Sequence, residues 1–131
     1  MAKILIAEDD PGIQTMIRIL LKRDGHEAVS AEDGLKALEL IKRDAFDLVL
    51  TDLRMPHVDG MYLLRAVKER EPSMPVIVLT AYATRETAIE ALKFGAFDYI
   101  AKPFTISELM TTVERALNSG RDKTRGADMH S

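Results

Sequence analysis

The sequence predicts an α/β protein in which a five-stranded parallel sheet lies between two layers of helices. Short apolar runs alternate five times with longer segments whose apolar residues recur at helical spacing. Three of the runs are almost continuously apolar, as is typical of strands that helices cover on both faces. With 131 residues, of which 47% are hydrophobic and 30% charged, the chain suits one domain of this kind.

The strands and the first four helices can be placed in order along the chain. The strands are expected at residues 4–7, 27–30, 48–50, 76–79 and 97–101. Asp10 and Pro11 supply an N-cap and a first-turn proline for the first helix, and Gly25 is positioned to end it. The next three helices are expected at residues 35–43, 59–70 and 84–94.

The fourth and fifth helices differ in how firmly they should be anchored. The fourth has the weakest apolar stripe, with Ala88, Ala91 and Leu92 as inward candidates, so it should be the easiest helix to shift. The fifth begins at Thr105, which is expected to form a capping box with Glu108. We expect this helix, and a domain of residues 1–118, to end at about 118. Residues 119–131 lose the periodicity and are expected to form a flexible tail or the stub of a linker.

Composition excludes several classes of function. No apolar stretch approaches the length of a membrane-spanning helix, and the apolar run after the first three residues is too short for a signal peptide, so we expect a cytoplasmic protein without membrane contact. The absence of cysteine excludes disulfides, thiolate metal sites and cysteine nucleophiles. A net charge of −3 argues against direct nucleic-acid binding by this domain.

Acidic residues follow two of the predicted strands. Glu8, Asp9 and Asp10 follow the first, and Asp52 follows the third. Asp10 is expected to act as a helix cap, but Asp52 has no helix directly behind it. If the first and third strands are neighbours, Glu8, Asp9 and Asp52 form one cluster whose mutual repulsion calls for a proton or a cation. Such a cluster suits Mg²⁺.

The other strand ends supply groups that suit a phosphoryl site. Thr80 follows the fourth strand and Lys102 the fifth, and a hydroxyl and an ammonium can contact the oxygens that collect charge during phosphoryl transfer. The backbone carbonyl of Arg54 is a candidate neutral metal ligand. The carboxylate of Asp52 can then act as the nucleophile and form an acyl phosphate.

Four motifs resemble the receiver domains of two-component response regulators. They are ILIAEDDP, DLVLTDLRMPHVDG, PVIVLTAY and GAFDYIAKPF, in the family's order and spacing, and the resemblance covers residues 3 to about 118. It implies a flavodoxin-like (βα)5 sandwich with strand order 2-1-3-4-5. The wording of the motifs is most similar to receivers of enhancer-binding transcription activators, with a stand-alone phosphorelay or chemotaxis-type receiver as the alternative.

The resemblance also implies a role for each site residue. Asp52 corresponds to the phosphoacceptor, Lys102 to the phosphate-contacting lysine, and Glu8 and Asp9 to the acidic pair that holds Mg²⁺, with Glu8 standing where many members have Asp. Thr80 corresponds to the switch hydroxyl.

Tyr99 corresponds to the family's switch aromatic residue. A phosphoryl group on Asp52 would draw Thr80 towards it and let Tyr99 turn inward, which would repack the surface of the fourth helix, fifth strand and fifth helix. The donor implied is a sensor histidine kinase or a phosphotransfer protein. The readers implied are an output domain, a partner or a second copy of the chain. On this interpretation the domain is a phosphoacceptor for signalling that assists its own phosphorylation and dephosphorylation, and not an enzyme.

Three other functions share part of this pattern. A haloacid-dehalogenase type phosphatase would need a second Asp two residues after the nucleophile, where this chain has Arg54. A flavodoxin would need a phosphate-cradling loop where this chain has acidic residues. A receiver-like interaction module that no longer accepts phosphate is disfavoured by the intact set of Asp52, Thr80 and Lys102.

Overall fold

The computed structural model describes residues 2–130, with side chains described as far as residue 119. Five strands alternate with five helices along the chain, and each strand begins and ends within about one residue of its predicted position. The strands are β1 (Lys3–Ala7), β2 (Glu27–Ala31), β3 (Leu48–Thr51), β4 (Val76–Thr80) and β5 (Asp98–Ala101). The helices are α1 (Pro11–Arg23), α2 (Gly34–Arg43), α3 (Gly60–Arg70), α4 (Arg85–Lys93) and α5 (Ile106–His130).

The strands form one parallel sheet in the order β2-β1-β3-β4-β5, which confirms the predicted fold. The strand order reverses at β1, which pairs with β2 on one side and with β3 on the other. Ala7, the last residue of β1, lies opposite both Ala31 and Thr51. The residues that follow β1 and β3 therefore meet at the carboxyl edge of the sheet, where ligand sites of open α/β sheets lie.

Helices cover both faces of the sheet, because alternate residues of each buried strand point to opposite sides. On one face, Leu5 of β1 belongs to a core cluster shared with α2, α3 and α4. On the other face, Ile4 and Ile6 belong to a cluster shared with α1 and α5. The continuous apolar runs are explained by this double coverage.

The helix starts carry the caps that the sequence predicts. Asp10 accepts hydrogen bonds from the backbone N–H groups of Gly12 and Ile13, so its role as the cap of α1 is confirmed. Asp59, which was expected inside the third helix, is instead the cap of α3 and accepts from the N–H of Tyr62 at 2.8 Å. Thr105 accepts a bond of 3.0 Å from the N–H of Glu108, which is the threonine half of the predicted capping box.

Helix α4 is weakly anchored, as predicted. Its one fully buried residue is Ala91, whereas α1 buries three residues and α3 buries four. Leu92 was expected to face inward, and this is wrong: the side chain is 52% exposed, because it lies about 100° around the helix from Ala91. Ile89 is also exposed, at 57%. Helix α4 therefore exposes two large apolar side chains to solvent.

Helix α5 continues beyond its predicted end at 118 and runs to His130, so that expectation is wrong. No proline interrupts residues 119–130, and each of the two glycines there costs only about 1 kcal/mol relative to alanine. The boundary between a domain of 1–118 and a tail or linker stub stays a prediction, because the side chains beyond residue 119 lie outside the described part. Within residues 2–130, none of the helices has the length and apolarity that crossing a membrane requires.

Candidate functional site

Asp52 lies directly after β3, and its backbone extends the ladder to β1. Its N–H donates to the carbonyl of Ala7 at 3.0 Å, and the hydroxyl of Thr51 donates to the carbonyl of Asp52 at 2.9 Å. Oδ1 of its carboxylate accepts from the N–H groups of Leu53, at 2.6 Å, and Arg54, at 3.3 Å. The residue is 7% exposed. The carboxylate is therefore held in one orientation at the edge of the sheet.

Glu8, Asp9 and Asp52 form the acidic cluster that the sequence predicts. Each offers a carboxylate oxygen within 4.8 Å of the others. Glu8 and Asp52 are buried, while Asp9 is exposed, so the cluster is open to solvent on one side. Three carboxylates with access to water are a donor set that fits a hard divalent cation. The cluster could therefore hold a metal ion.

Lys102 reaches the acidic cluster from the loop after β5. Its ammonium donates to Oδ2 of Asp52 at 2.8 Å and is also bonded to Oε1 of Glu8. Its backbone N–H donates to the carbonyl of Thr80 at 2.8 Å, which ties the loop to the end of β4. Burial alone would lower the pKa of Lys102, but the hydrogen bonds to Asp52 and Glu8 outweigh burial and raise it. Lys102 is therefore a fixed cation in contact with two carboxylates.

Three neighbours donate hydrogen bonds to Glu8. Its Oε2 accepts from the N–H of Asp10 at 3.1 Å, Oε1 accepts from Lys102, and its carbonyl accepts from the side-chain amide of Gln14. Burial raises the pKa of the Glu8 carboxyl, and the bonds from Lys102 and Asp10 offset only part of that rise. Gln14 is absent from the residues predicted from sequence, because nothing in a helix pattern signals that its amide turns back to the preceding loop.

The hydroxyls of Thr80 and Tyr99 each form a hydrogen bond near the start of α4. The hydroxyl of Thr80, which is fully buried at the end of β4, accepts from the N–H of Tyr82 at 3.0 Å. The hydroxyl of Tyr99, which is half-buried on β5, lies 2.6 Å from Oγ1 of Thr87 on α4. Of the predicted site residues, the structure thus brings together Glu8, Asp9, Asp52 and Lys102. It places the two hydroxyls against the β4–α4 loop and α4.

Residues 4–114 match the family described as the response regulator receiver domain. The chain belongs to this family. The transcriptional regulatory protein ZraR of Escherichia coli (strain K12) is 43% identical over 114 residues, which are 87% of this chain and 26% of that protein. The regulatory protein AtoC of the same strain is 44% identical over 115 residues, which are 88% of this chain and 25% of that protein. The chain therefore spans about a quarter of the length of these curated relatives.

A solved receiver domain has the same fold. The Francisella response regulator 1452 receiver domain superposes with a TM-score of 0.84 at 36% identity, covering 90% of this chain and 98% of that one. The predicted resemblance to receivers of transcription regulators is confirmed. The chain is a receiver domain of two-component response regulators, a signalling domain whose family works through phosphorylation.

The loop after β3 is fitted closely to the receiver's acidic cluster. A β-carbon at Gly60 would lie 1.8 Å from the carbonyl oxygen of Asp52, so only glycine allows the start of α3 to approach that backbone. A β-carbon at Gly34 would lie 2.1 Å from the carbonyl oxygen of Val58. The backbone of residues 53–59, which includes the Arg54 carbonyl, is therefore packed closely between α2 and the end of β3.

Two side-chain contacts in the receiver were not predicted from the sequence. The guanidinium of Arg54 lies 4.2 Å from the ring centroid of Tyr82 and so joins the loop after β3 to the loop after β4. The bond between Thr87 and Tyr99 joins α4 to β5. One sequence feature points to Thr87: its spacing from Thr84 fits a capping box in which threonine replaces the usual Glu or Gln.

Proposed function

We propose that this receiver accepts one phosphoryl group on Asp52, with Mg²⁺ bound by the side chains of Glu8, Asp9 and Asp52 and by the carbonyl of Arg54. The observation that carries the proposal is the contact of the Lys102 ammonium with Asp52 inside a cluster of three carboxylates. A strand-end carboxylate thereby lies beside a cation that can contact a phosphoryl oxygen. When bound, Mg²⁺ offsets negative charge on the phosphoryl oxygens.

Asp52, Lys102 and Thr80 each have a role in the proposed phosphoryl transfer. A carboxylate oxygen of Asp52 forms a bond to phosphorus as the bond from phosphorus to the donor's leaving group breaks, and an acyl phosphate results. Lys102 exchanges its contact with Asp52 for a phosphoryl oxygen, and the hydroxyl of Thr80 donates to another. Each of these contacts strengthens as charge builds up on the oxygens, so each stabilises the transition state more than the resting state.

The switch begins at Thr80. Drawing its hydroxyl to the phosphoryl group removes the acceptor of the Tyr82 N–H, so the loop that leads into α4 loses a bond. Helix α4 can then shift, because it buries only Ala91 fully. Tyr99 turns inward, and the α4-β5-α5 surface, with Ile89 exposed on it, changes shape.

The proposed partners follow from the proposed reaction. The donor is a sensor histidine kinase or a phosphotransfer protein, and the α4-β5-α5 surface controls an output domain, a partner or a homodimer. The relatives ZraR and AtoC, which are regulatory proteins more than three times as long, favour control of transcription through an output domain. This domain itself carries a net charge of −3 and is proposed not to bind nucleic acid. The cytoplasmic location stays a prediction.

Intact mass spectrometry after incubation with acetyl phosphate tests the proposal. The native chain should gain one phosphoryl group only with Mg²⁺, and hydroxylamine should remove it, as expected of an acyl phosphate. Asp52→Asn should gain none. Asp10→Asn is the matched control, because asparagine also caps helices well and Asp10 contributes a cap to α1.

The alternatives give different results in the same experiment. No adduct on the native chain would indicate a receiver-like interaction module that does not accept phosphate. Free phosphate released over many turnovers, with no adduct at any time, would indicate a phosphatase. An adduct on Asp52→Asn would place the phosphoryl group elsewhere.

A further inference from the structure

The side chain of Thr87 occupies a junction between the cap of α4 and the hydroxyl of Tyr99. Its Oγ1 lies 2.6 Å from the Tyr99 hydroxyl and 3.1 Å from the backbone N of Thr84. The same atom lies 3.0 Å from Oγ1 of Thr84 and 3.1 Å from the carbonyl oxygen of Thr84. One hydroxyl therefore has four polar neighbours.

Because the hydroxyl of Thr87 has a single proton, only some of these four contacts can be hydrogen bonds. A hydroxyl has one proton to donate and two lone pairs to accept with. The N–H of Thr84 uses one lone pair, which completes the capping box with the Thr87 N–H that donates to Oγ1 of Thr84. Tyrosine is the more acidic hydroxyl and the better donor, so Tyr99 fills the second lone pair and the Thr87 proton goes to the Thr84 carbonyl. The bonds thus run from Tyr99 through Thr87 to the cap of α4.

We propose that Thr87 is the positioning residue for Tyr99: its hydroxyl holds Tyr99 on α4 in the unphosphorylated protein, and loss of this bond loosens the α4 cap. This inference rests on the switch role proposed for Tyr99. Capping is a large share of what anchors α4, because the helix buries one residue fully. When Tyr99 turns inward, Thr87 loses a donor, and the network that closes the first turn of α4 is weakened.

Two bonds therefore hold the β4–α4 connection in its resting arrangement. The Thr80–Tyr82 bond lies at its start, and the Thr87–Tyr99 bond at its end. Phosphorylation breaks the first by drawing Thr80 away. The Thr87–Tyr99 bond opposes this rearrangement until Tyr99 moves, so removing the bond should favour the phosphorylated arrangement. By linkage, a protein without the bond should also bind a phosphoryl analogue more tightly.

A double-mutant cycle tests this coupling, with the dissociation constant of beryllofluoride in the presence of Mg²⁺ as the readout. Tyr99→Phe removes one hydroxyl and keeps the ring, and Thr87→Val removes the other with little change of shape. Tyr99→Phe should tighten binding about five-fold in the native background, the size of one typical hydrogen bond, and should have no effect in Thr87→Val. Thr87→Ser keeps the hydroxyl and should bind as the native chain does.

The control separates this coupling from helix capping alone. Thr84→Val removes the cap side chain but leaves the hydroxyls of Thr87 and Tyr99 in place, so Tyr99→Phe should still tighten binding in that background. Equal effects of Tyr99→Phe in the native and Thr87→Val backgrounds would overturn the inference. Amide exchange of residues 84–88 without beryllofluoride gives a second readout, and Tyr99→Phe should speed it several-fold, the same order as the loss of one hydrogen bond.

The two proposals fail in distinguishable ways. Failure of the native chain to bind beryllofluoride would overturn the proposed phosphoacceptor function. The amide-exchange cycle would then decide the Thr87–Tyr99 coupling by itself, and unchanged exchange in Tyr99→Phe would overturn it.

Discussion

The ammonium of Lys102 lies 2.8 Å from Oδ2 of Asp52 and is bonded at the same time to the carboxylate of Glu8. The two acidic residues are 44 positions apart in sequence, and one cation serves both. Lys102 thereby offsets part of the repulsion within the cluster that would otherwise call for a proton or a metal ion. A divalent cation bound to the same carboxylates would be close to this ammonium, and the two positive charges would repel.

Replacing Lys102 should therefore change metal binding and phosphorylation in opposite directions. Lys102→Met keeps much of the side-chain volume and removes the charge, so we expect Mg²⁺ to bind at least ten-fold more tightly, since charges ~5 Å apart interact by a few kcal/mol even near a protein surface. Phosphorylation by acetyl phosphate should be slower, because the phosphoryl oxygens lose a cation. Calorimetric titration with Mg²⁺ and the rate of mass gain measure the two effects. Lys36→Met, a change on α2 at a side chain that is 42% exposed, is the control.

A weaker affinity for Mg²⁺ in Lys102→Met would contradict this interpretation. It would mean that Lys102 mainly organises the carboxylates and competes little with the metal. Unchanged phosphorylation would show that the ammonium does not act on the phosphoryl group.

Glu8 should contribute more to the stability of the folded protein at low pH than at high pH. Its raised pKa means that the native protein keeps the Glu8 proton at pH values where the unfolded chain, with an ordinary value of 4.5, has lost it. The contribution of Glu8 to the free energy of unfolding is therefore greatest at low pH and falls as pH rises through the raised pKa. Most paired carboxylates show the opposite trend.

Urea denaturation between about pH 4 and pH 7 without metal checks this sign. The difference in unfolding free energy between the native chain and Glu8→Gln should decrease steadily as pH rises. Glu39→Gln, whose side chain is 62% exposed, should show no such trend. A difference that increases with pH would mean that the pair with Lys102 outweighs burial at Glu8.

The parts of the site that the sequence predicted are those that backbone geometry fixes. Asp52 follows β3 and Lys102 follows β5, and parallel strands bring their carboxyl ends to one edge, so their meeting needed only the strand order. The motifs supplied that order through the family resemblance. Asp10 was predicted as a cap because the capping position is defined by local sequence.

The parts that the sequence did not predict depend on side-chain orientation across a loop. Thr87 contacts Tyr99 because of how α4 lies over β5, which no periodicity specifies. Gln14 bonds to the carbonyl of Glu8 for a similar reason. Leu92 was wrongly expected to face inward because a short helix with few large apolar residues leaves its buried face poorly defined.

Mg²⁺ should stabilise the folded receiver through Asp9. A ligand that binds only the native state stabilises it by about 2.7 kcal/mol at a concentration 100 times its dissociation constant. Asp9 is exposed and lies outside the core, so Asp9→Asn should keep the metal-free stability and lose most of the gain with Mg²⁺. Thermal denaturation with Mg²⁺ and after addition of a chelator measures both.

The matched control for Asp9 is Asp24→Asn, a change at the exposed C-cap of α1 and distant from the cluster. It should keep the full stabilisation by Mg²⁺. If Asp9→Asn keeps it as well, the metal binds without Asp9, and the proposed ligand set is wrong.

Gly60 should be required both for stability and for the position of Asp52. A β-carbon there would lie 1.8 Å from the carbonyl oxygen and 2.7 Å from the carbonyl carbon of Asp52, and 2.8 Å from the Cα of Leu53. All three are backbone atoms, so no side chain can turn away to make room. We expect Gly60→Ala to lower the free energy of unfolding by about 2–3 kcal/mol, the upper part of the range for overpacking.

The same substitution should slow phosphorylation, because the backbone that must move carries Asp52, the proposed phosphoacceptor. Gly12→Ala is the control: its nearest neighbour is a side-chain atom, Oδ1 of Asp10 at 3.2 Å, and the change should alter stability by less than about 1 kcal/mol. The rate of mass gain is compared at a temperature where Gly60→Ala is fully folded, so that unfolding does not contribute. A normal rate in that folded variant would show that the loop can yield without displacing the Asp52 carboxylate, and Gly60 would then matter for stability alone.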